Sequence, residues 1–147
     1  MEMIKLVIMG TLGAAGFAIL FGIKPKHVAF AAVGGAIATL VYLLIDMMGV
    51  DLFVSNCVAT LICVVYANIL ARTLKTASAV FITAAIIPLV PGGSLFYTMS
   101  NIILGDSVLA KLYGLNTLKV ALGIACGIVI ESLIVSVMSK LIKKKKY

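Results

Sequence analysis

Two features of this 147-residue sequence could do chemistry. One is a carboxyl group, Glu131, inside an apolar run. The other is the stretch Pro88-Leu89-Val90-Pro91-Gly92-Gly93-Ser94, which no straight helix can accommodate. Pro88 and Pro91 each lack an N–H and each collide with the carbonyl four residues back. The carbonyls of Ala84 and Ile87 are therefore expected to lose their helical donors. Gly92 and Gly93 are expected to free the backbone for a turn, and Ser94 to cap a second half-helix. In lipid, such a break persists only where protein buries it or where it lines a polar cavity. A discontinuous helix offers two poles: carbonyls at Ala84 and Ile87 for a cation or ammonium, and free N–H groups near Ser94 for a carboxylate. A small zwitterion carries both charges. Beyond the break, Tyr97 and Asn101 share one helix face and Ser94 and Thr98 another, and one of these faces is a candidate lining for a substrate path. A kink that merely lets helices pack is the plainer reading of the same residues.

Glu131 follows Gly123 and Gly127 at four-residue spacing, so the three share a helix face. Glycines mark the side on which membrane helices approach closely, and the carboxyl group is expected to point at neighbouring helices rather than at lipid. Two roles suit it there: proton coupling, or an interhelical hydrogen bond that locks the bundle.

The elements that must position these groups are membrane helices. The chain is 63% hydrophobic with a mean hydropathy of +1.25, whereas a soluble domain is about half apolar. The sequence predicts an all-α integral membrane protein in a single domain. Five spans are expected over about 4–21, 28–48, 52–71, 77–104 and 119–142, followed by a basic tail at 143–147. A polar loop is expected over 105–118, carrying Asp106, Lys111 and Asn116. The fourth span, unbroken, would be ~42 Å long against a hydrocarbon core of ~30 Å, so a break at Pro88–Gly93 also absorbs excess length. Gly10, Ala14, Ala18 and Gly22 form a small-residue stripe on the first span, which suits close helix packing in lipid. That first segment is read as a retained helix rather than a cleaved signal, because its positive end is weak and no cleavage site precedes a soluble domain.

Charge sets the expected topology. If all five segments cross with the N-terminus outside, then Lys24, Lys26, Arg72, Lys75, Lys140 and Lys143 to Lys146 share the cytoplasmic side; these are most of the twelve basic residues. Lys5, Lys111 and Lys119 fall outside with Glu2, Asp46, Asp51 and Asp106. A re-entrant fourth segment would put the lysine tail on the opposite side from the other basic turns, against the positive-inside rule. The net charge of +7 thus belongs to topology and anionic lipid rather than to nucleic acid.

Other chemistry is not supported. Cys57, Cys63 and Cys126 lie within apolar segments as small hydrophobes. His27 has no second histidine or nearby cysteine to form a metal site. Asn68 reads as packing glue. No spacing suggests a hydrolytic triad, and the glycines follow no phosphate-loop pattern. Neither an enzyme nor a cofactor is expected.

The run Ala84-Ala85-Ile86-Ile87-Pro88-Leu89-Val90-Pro91-Gly92, with Tyr97 shortly after, resembles the signature of the threonine/serine exporter family. Gly16-Phe17-Ala18 with Phe21 fits that family's first helix. The length and span layout resemble its short five-span half, which occurs either as the C-terminal part of a fused exporter or as a separate subunit. The resemblance implies export of small hydrophilic metabolites, threonine and serine in some members and dicarboxylates in others. It also implies a larger polytopic partner subunit. The expectation is a bacterial inner-membrane subunit of a secondary exporter working with that partner, with a homo-oligomer left open. Substrate binding or gating would fall to Ala84, Ile87, Pro88, Pro91, Gly92, Gly93, Ser94, Tyr97 and Asn101; proton coupling or bundle locking by Glu131 rests on its spacing and position in an apolar run, not on the resemblance. The alternatives are a scaffolding membrane protein and a small pore former, neither with a substrate of its own.

Overall fold

The computed structural model describes residues 2–144, with side chains to residue 137. The expected basic tail at 143–147 lies outside the residues whose side chains are described. All regular elements among the described residues are helical: α1 (Glu2–Leu20), α2 (Pro25–Asp46), α3 (Leu52–Leu74), α4 (Ser78–Ile86), a 3-10 turn (Ile87–Leu89), α5 (Gly92–Ile103) and α6 (Ser107–Lys144). α1, α2, α3 and α6 are long and apolar enough to cross a membrane, and α4 and α5 form a pair bent by 53°. The fold is an all-α membrane bundle whose fourth span is broken.

Local chemistry explains the boundaries. Pro25 occupies the first turn of α2, where its missing N–H costs nothing. Asp51 caps α3 by accepting from the Phe53 N–H at 3.2 Å. α3 ends at Lys75, whose left-handed backbone (φ 50°) turns its N–H onto the Ala71 carbonyl. Gly105, at φ +77°, closes α5 in a conformation that a Cβ would oppose. Asp106 then starts α6, its Oδ1 accepting from the N–H groups of Val108 at 3.1 Å and Leu109 at 3.0 Å.

That cap corrects one expectation. The segment 107–118 is not a loop but the first turns of α6, and only Gly105 and Asp106 lie outside helix there. α6 is 38 residues long, ~57 Å at 1.5 Å per residue. Lys119 Nζ reaches Asp51 Oδ1 at 2.6 Å, which fixes the level of the α3 N-terminus on α6. Segment 107–118 extends beyond that level, and α5 runs antiparallel beside it. Tyr97 lies on Tyr113 with ring centroids 5.2 Å apart, and Thr98 abuts Gly114. α5 packs on α6 and on no other helix to a comparable extent.

α3 is the centre of the bundle, packed against α2, α4 and α6. Its core is made of small side chains. Ala18, Ala31, Ala67, Ala71 and Ala84 gather around Phe81 and Ile23 at one end, and Ala38, Ala59, Cys63 and Ala85 around Val64, Ile86 and Leu89 at the other. Lipid gives apolar side chains no reason to leave it, so close backbone approach through small residues is what holds such a bundle together. The α3–α6 seam brings glycines against the backbone of the neighbouring helix. A Cβ on Gly123 would lie 2.5 Å from the Phe53 carbonyl oxygen, and one on Gly127 2.7 Å from that of Cys57.

Candidate functional site

The break is built differently from its sequence expectation. After α4, the chain tightens into the 3-10 turn, and the Val90 N–H donates to the Ile87 carbonyl at 3.1 Å. The Ile87 carbonyl is therefore not left without a donor: a tighter hydrogen bond replaces the helical one that Pro91 cannot give. The change of direction comes from Val90, which is extended (φ −62°, ψ 131°), and from Pro91 (φ −78°, ψ 50°). Gly92 and Gly93 are the first residues of α5, and neither adopts a positive φ. Pro91 takes the N-cap position expected for Ser94, and its carbonyl accepts from the Leu95 N–H at 2.9 Å. Ser94 sits inside the first turn, where its carbonyl accepts from Thr98 Oγ1 at 2.7 Å. Ala84 is fully buried against the core, and Pro88 packs toward Gly35 of α2.

A cavity of about 170 Å³ opens at this break, lined by Pro88, Leu89, Val90 and Pro91 together with Tyr42 of α2 and Asn56 of α3. Asn56 is buried, its Nδ2 donating to the Leu52 carbonyl at 2.8 Å. Tyr42 and Asn56 are site residues that sequence reasoning missed, because nothing local ties either of them to the proline stretch. Tyr97 and Asn101 do not line the cavity. Tyr97 is half exposed against Tyr113, and Asn101 Nδ2 bonds back to the Tyr97 carbonyl at 2.7 Å.

Glu131 belongs to a second locus. It is 3% exposed, on the glycine face of α6 that meets α3, and its Oε1 accepts from Asn68 Nδ2 at 2.7 Å. Asn68 also lines an open cavity of about 290 Å³ with Ala71, Arg72, Thr76 and Ser78. Asn56 and Asn68 are twelve residues apart on one helix, so the two cavities are separated by ~18 Å along α3. Between them lies Thr60, whose hydroxyl is buried without a hydrogen-bond partner among the described residues. The structure thus keeps Glu131 and the break apart, at opposite ends of a helix that carries polar groups into an apolar bundle. The sequence signal for the second cavity is the four-residue spacing of Asn68 and Arg72, which places them on one face of α3.

Among the described residues no group of three or more histidine, cysteine or acidic side chains is placed to hold a metal. Outside the spans, the Lys119 ammonium hydrogen-bonded to Asp51, with the Phe53 N–H beside it, holds the Asp51 carboxyl below its usual range.

A bundle of apolar helices long enough to span a membrane, with one bent pair beside a small cavity, defines a multi-pass membrane protein. The family model described as "Threonine/Serine exporter, ThrE" matches residues 6–134. The chain belongs to that family. Neither the curated proteins nor the solved structures compared with the chain gave a match.

Proposed function

We propose that this chain is one subunit of a secondary transporter that exports small hydrophilic metabolites, threonine- or serine-type amino acids or dicarboxylates, together with a larger polytopic partner of the same family. The family match over residues 6–134 carries this reading. The broken fourth span supports it, because non-helical backbone at membrane depth is tolerated where it lines a cavity. In this reading Pro88, Pro91, Gly92 and Gly93 form a gate that moves against Tyr42 and Asn56. Ala84 and Ile87 hold its inner edge, and Ser94, Tyr97 and Asn101 hold its outer arm. Glu131, bonded to Asn68, either couples a proton or locks α3 to α6. A cytoplasmic position for the Lys24, Lys26 and Arg72 end agrees with the positive-inside rule.

The partner would cover the arm formed by α5 and 107–118, where α5 packs on no helix other than α6 to a comparable extent and Ile103 and Val108 are exposed at 82% and 79%. The test is efflux from cells lacking their own threonine exporters and loaded with a threonine-containing dipeptide. Co-expression of this chain with its partner is expected to lower intracellular threonine or serine, and Pro91→Ala, Gly92→Leu or Glu131→Gln to reduce that effect. Unchanged efflux in all three variants would remove the break and Glu131 from the mechanism. Ion leakage from vesicles holding this chain alone would favour a pore former.

A further inference from the structure

The cavity at the Arg72 end has the chemistry of a receptor for a carboxylate. Arg72 is exposed and makes no ion pair among the described residues. Its guanidinium presents a rigid fork suited to carboxylate oxygens. Beside it, the Thr76 hydroxyl is buried with no hydrogen-bond partner among the described residues. A buried hydroxyl left unpaired is costly, and a ligand oxygen would satisfy it. Ser78 opens α4, whose N-cap residue Ala77 has no side chain able to cap it, so the first N–H groups of α4 have no side-chain cap. Arg72, Thr76 and Ser78, the last at the N-terminus of α4, line one space of about 290 Å³. That is close to the lower end, roughly 300 Å³, of small-molecule sites.

Asn68 lines the same cavity one turn before Arg72 on α3. Its Nδ2 is committed to Glu131, which leaves Oδ1 as the amide atom able to accept from a bound molecule. An anion-binding guanidinium with a single acceptor one turn away, itself oriented by a buried carboxyl group, suits a small α-amino acid better than a diacid.

We infer that Arg72, Thr76 and Ser78 bind the carboxylate of the exported amino acid at the inner end of the path, with Asn68, oriented by Glu131, receiving its ammonium. This rests on the export reading above, and it moves first contact with substrate from the break to a vestibule ~18 Å away along α3.

The test is binding of radiolabelled L-threonine to the purified full chain in nanodiscs, with L-serine, succinate and threoninol, which lacks the carboxylate, as competitors. Arg72→Gln is expected to weaken threonine binding at least tenfold, and Arg72→Lys to retain part of it. Thr76→Val and Ser78→Ala are each expected to cost threefold or more. Lys5→Gln, an equal charge change on α1, is expected to leave binding unaltered. Threoninol should compete poorly with wild type. An unchanged elution profile and thermal midpoint establish that each variant is folded.

Equal binding by Arg72→Gln and Lys5→Gln would overturn the site, as would effective competition by threoninol or no binding of any carboxylate by wild type. Cellular efflux is measured separately. Efflux with an insensitive Arg72 sinks the site but not the export reading, whereas Arg72-dependent binding without efflux does the reverse.

Discussion

The Asn68–Glu131 hydrogen bond is expected to couple α3 to α6 measurably. Its N···O distance is 2.7 Å, and Glu131 is 3% exposed. Interhelical polar pairs in membranes contribute ~0.6 kcal/mol on average and up to ~1.7 kcal/mol, because the separated helices find other partners. This pair should lie near the upper end. Gly123 and Gly127 hold the two backbones so close that a Cβ on either would meet a carbonyl oxygen of α3. The seam therefore cannot open to admit water when one partner is lost. Asn68→Ala is expected to cost about 1.5 kcal/mol, roughly tenfold in the folding equilibrium. Glu131→Gln keeps an amide oxygen that can accept from Asn68 Nδ2, so it should cost about 0.5 kcal/mol or less. A double-mutant cycle of Asn68→Ala and Glu131→Ala, read by SDS titration of helicity in bicelles, should give a coupling of about 1 kcal/mol. A coupling under about 0.3 kcal/mol would refute the argument that glycine packing enforces the bond. If Glu131→Gln keeps stability but abolishes export, the carboxyl group serves transport as well as packing.

Further outcomes follow from the same geometry. Gly127→Ala should destabilise by about 1–3 kcal/mol through forced separation of α3 and α6, seen as a lower thermal midpoint, whereas Gly93→Ala, which has open space around it, should be near neutral. The double variant Pro88→Ala/Pro91→Ala restores two backbone donors and should reduce the 53° bend between α4 and α5, measured as a lengthened spin-label distance between Ala79 and Ile103. The Asp51–Lys119 pair makes a pH prediction. The folded-state pKa of Asp51 is lowered, first by its hydrogen bond to Lys119. Its contribution is therefore present above the ordinary carboxylate value of about 4 and is lost as pH falls through the lowered folded value. Lys119→Ala should remove that acid-side dependence from the unfolding profile.

The existence of the break was legible because proline chemistry is local: two missing N–H groups three residues apart cannot sit inside one helix. Its construction was less so. A 3-10 hydrogen bond from Val90 reclaimed the Ile87 carbonyl, and Pro91 rather than a glycine made the turn. The helix at 107–118 was hidden by its polar residues, although Gly105-Asp106 is a helix stop followed by an N-cap. Gly123, Gly127 and Glu131 disclosed the packing face of α6 through spacing alone, but not which side chain would meet the carboxyl group. Asn68 lies 63 residues away in sequence, and only the docking of α3 on α6 brings the two together. For the same reason Tyr42 and Asn56 could not be assigned to the break before the bundle was known.

The most direct test of the export reading is counterflow in proteoliposomes containing this chain and its co-purified partner, preloaded with unlabelled L-threonine and diluted into trace labelled L-threonine. The reading predicts transient accumulation of label that needs both subunits, is competed by L-serine and falls with Pro88→Ala/Pro91→Ala. No accumulation with both subunits present, for threonine, serine or succinate, would contradict it.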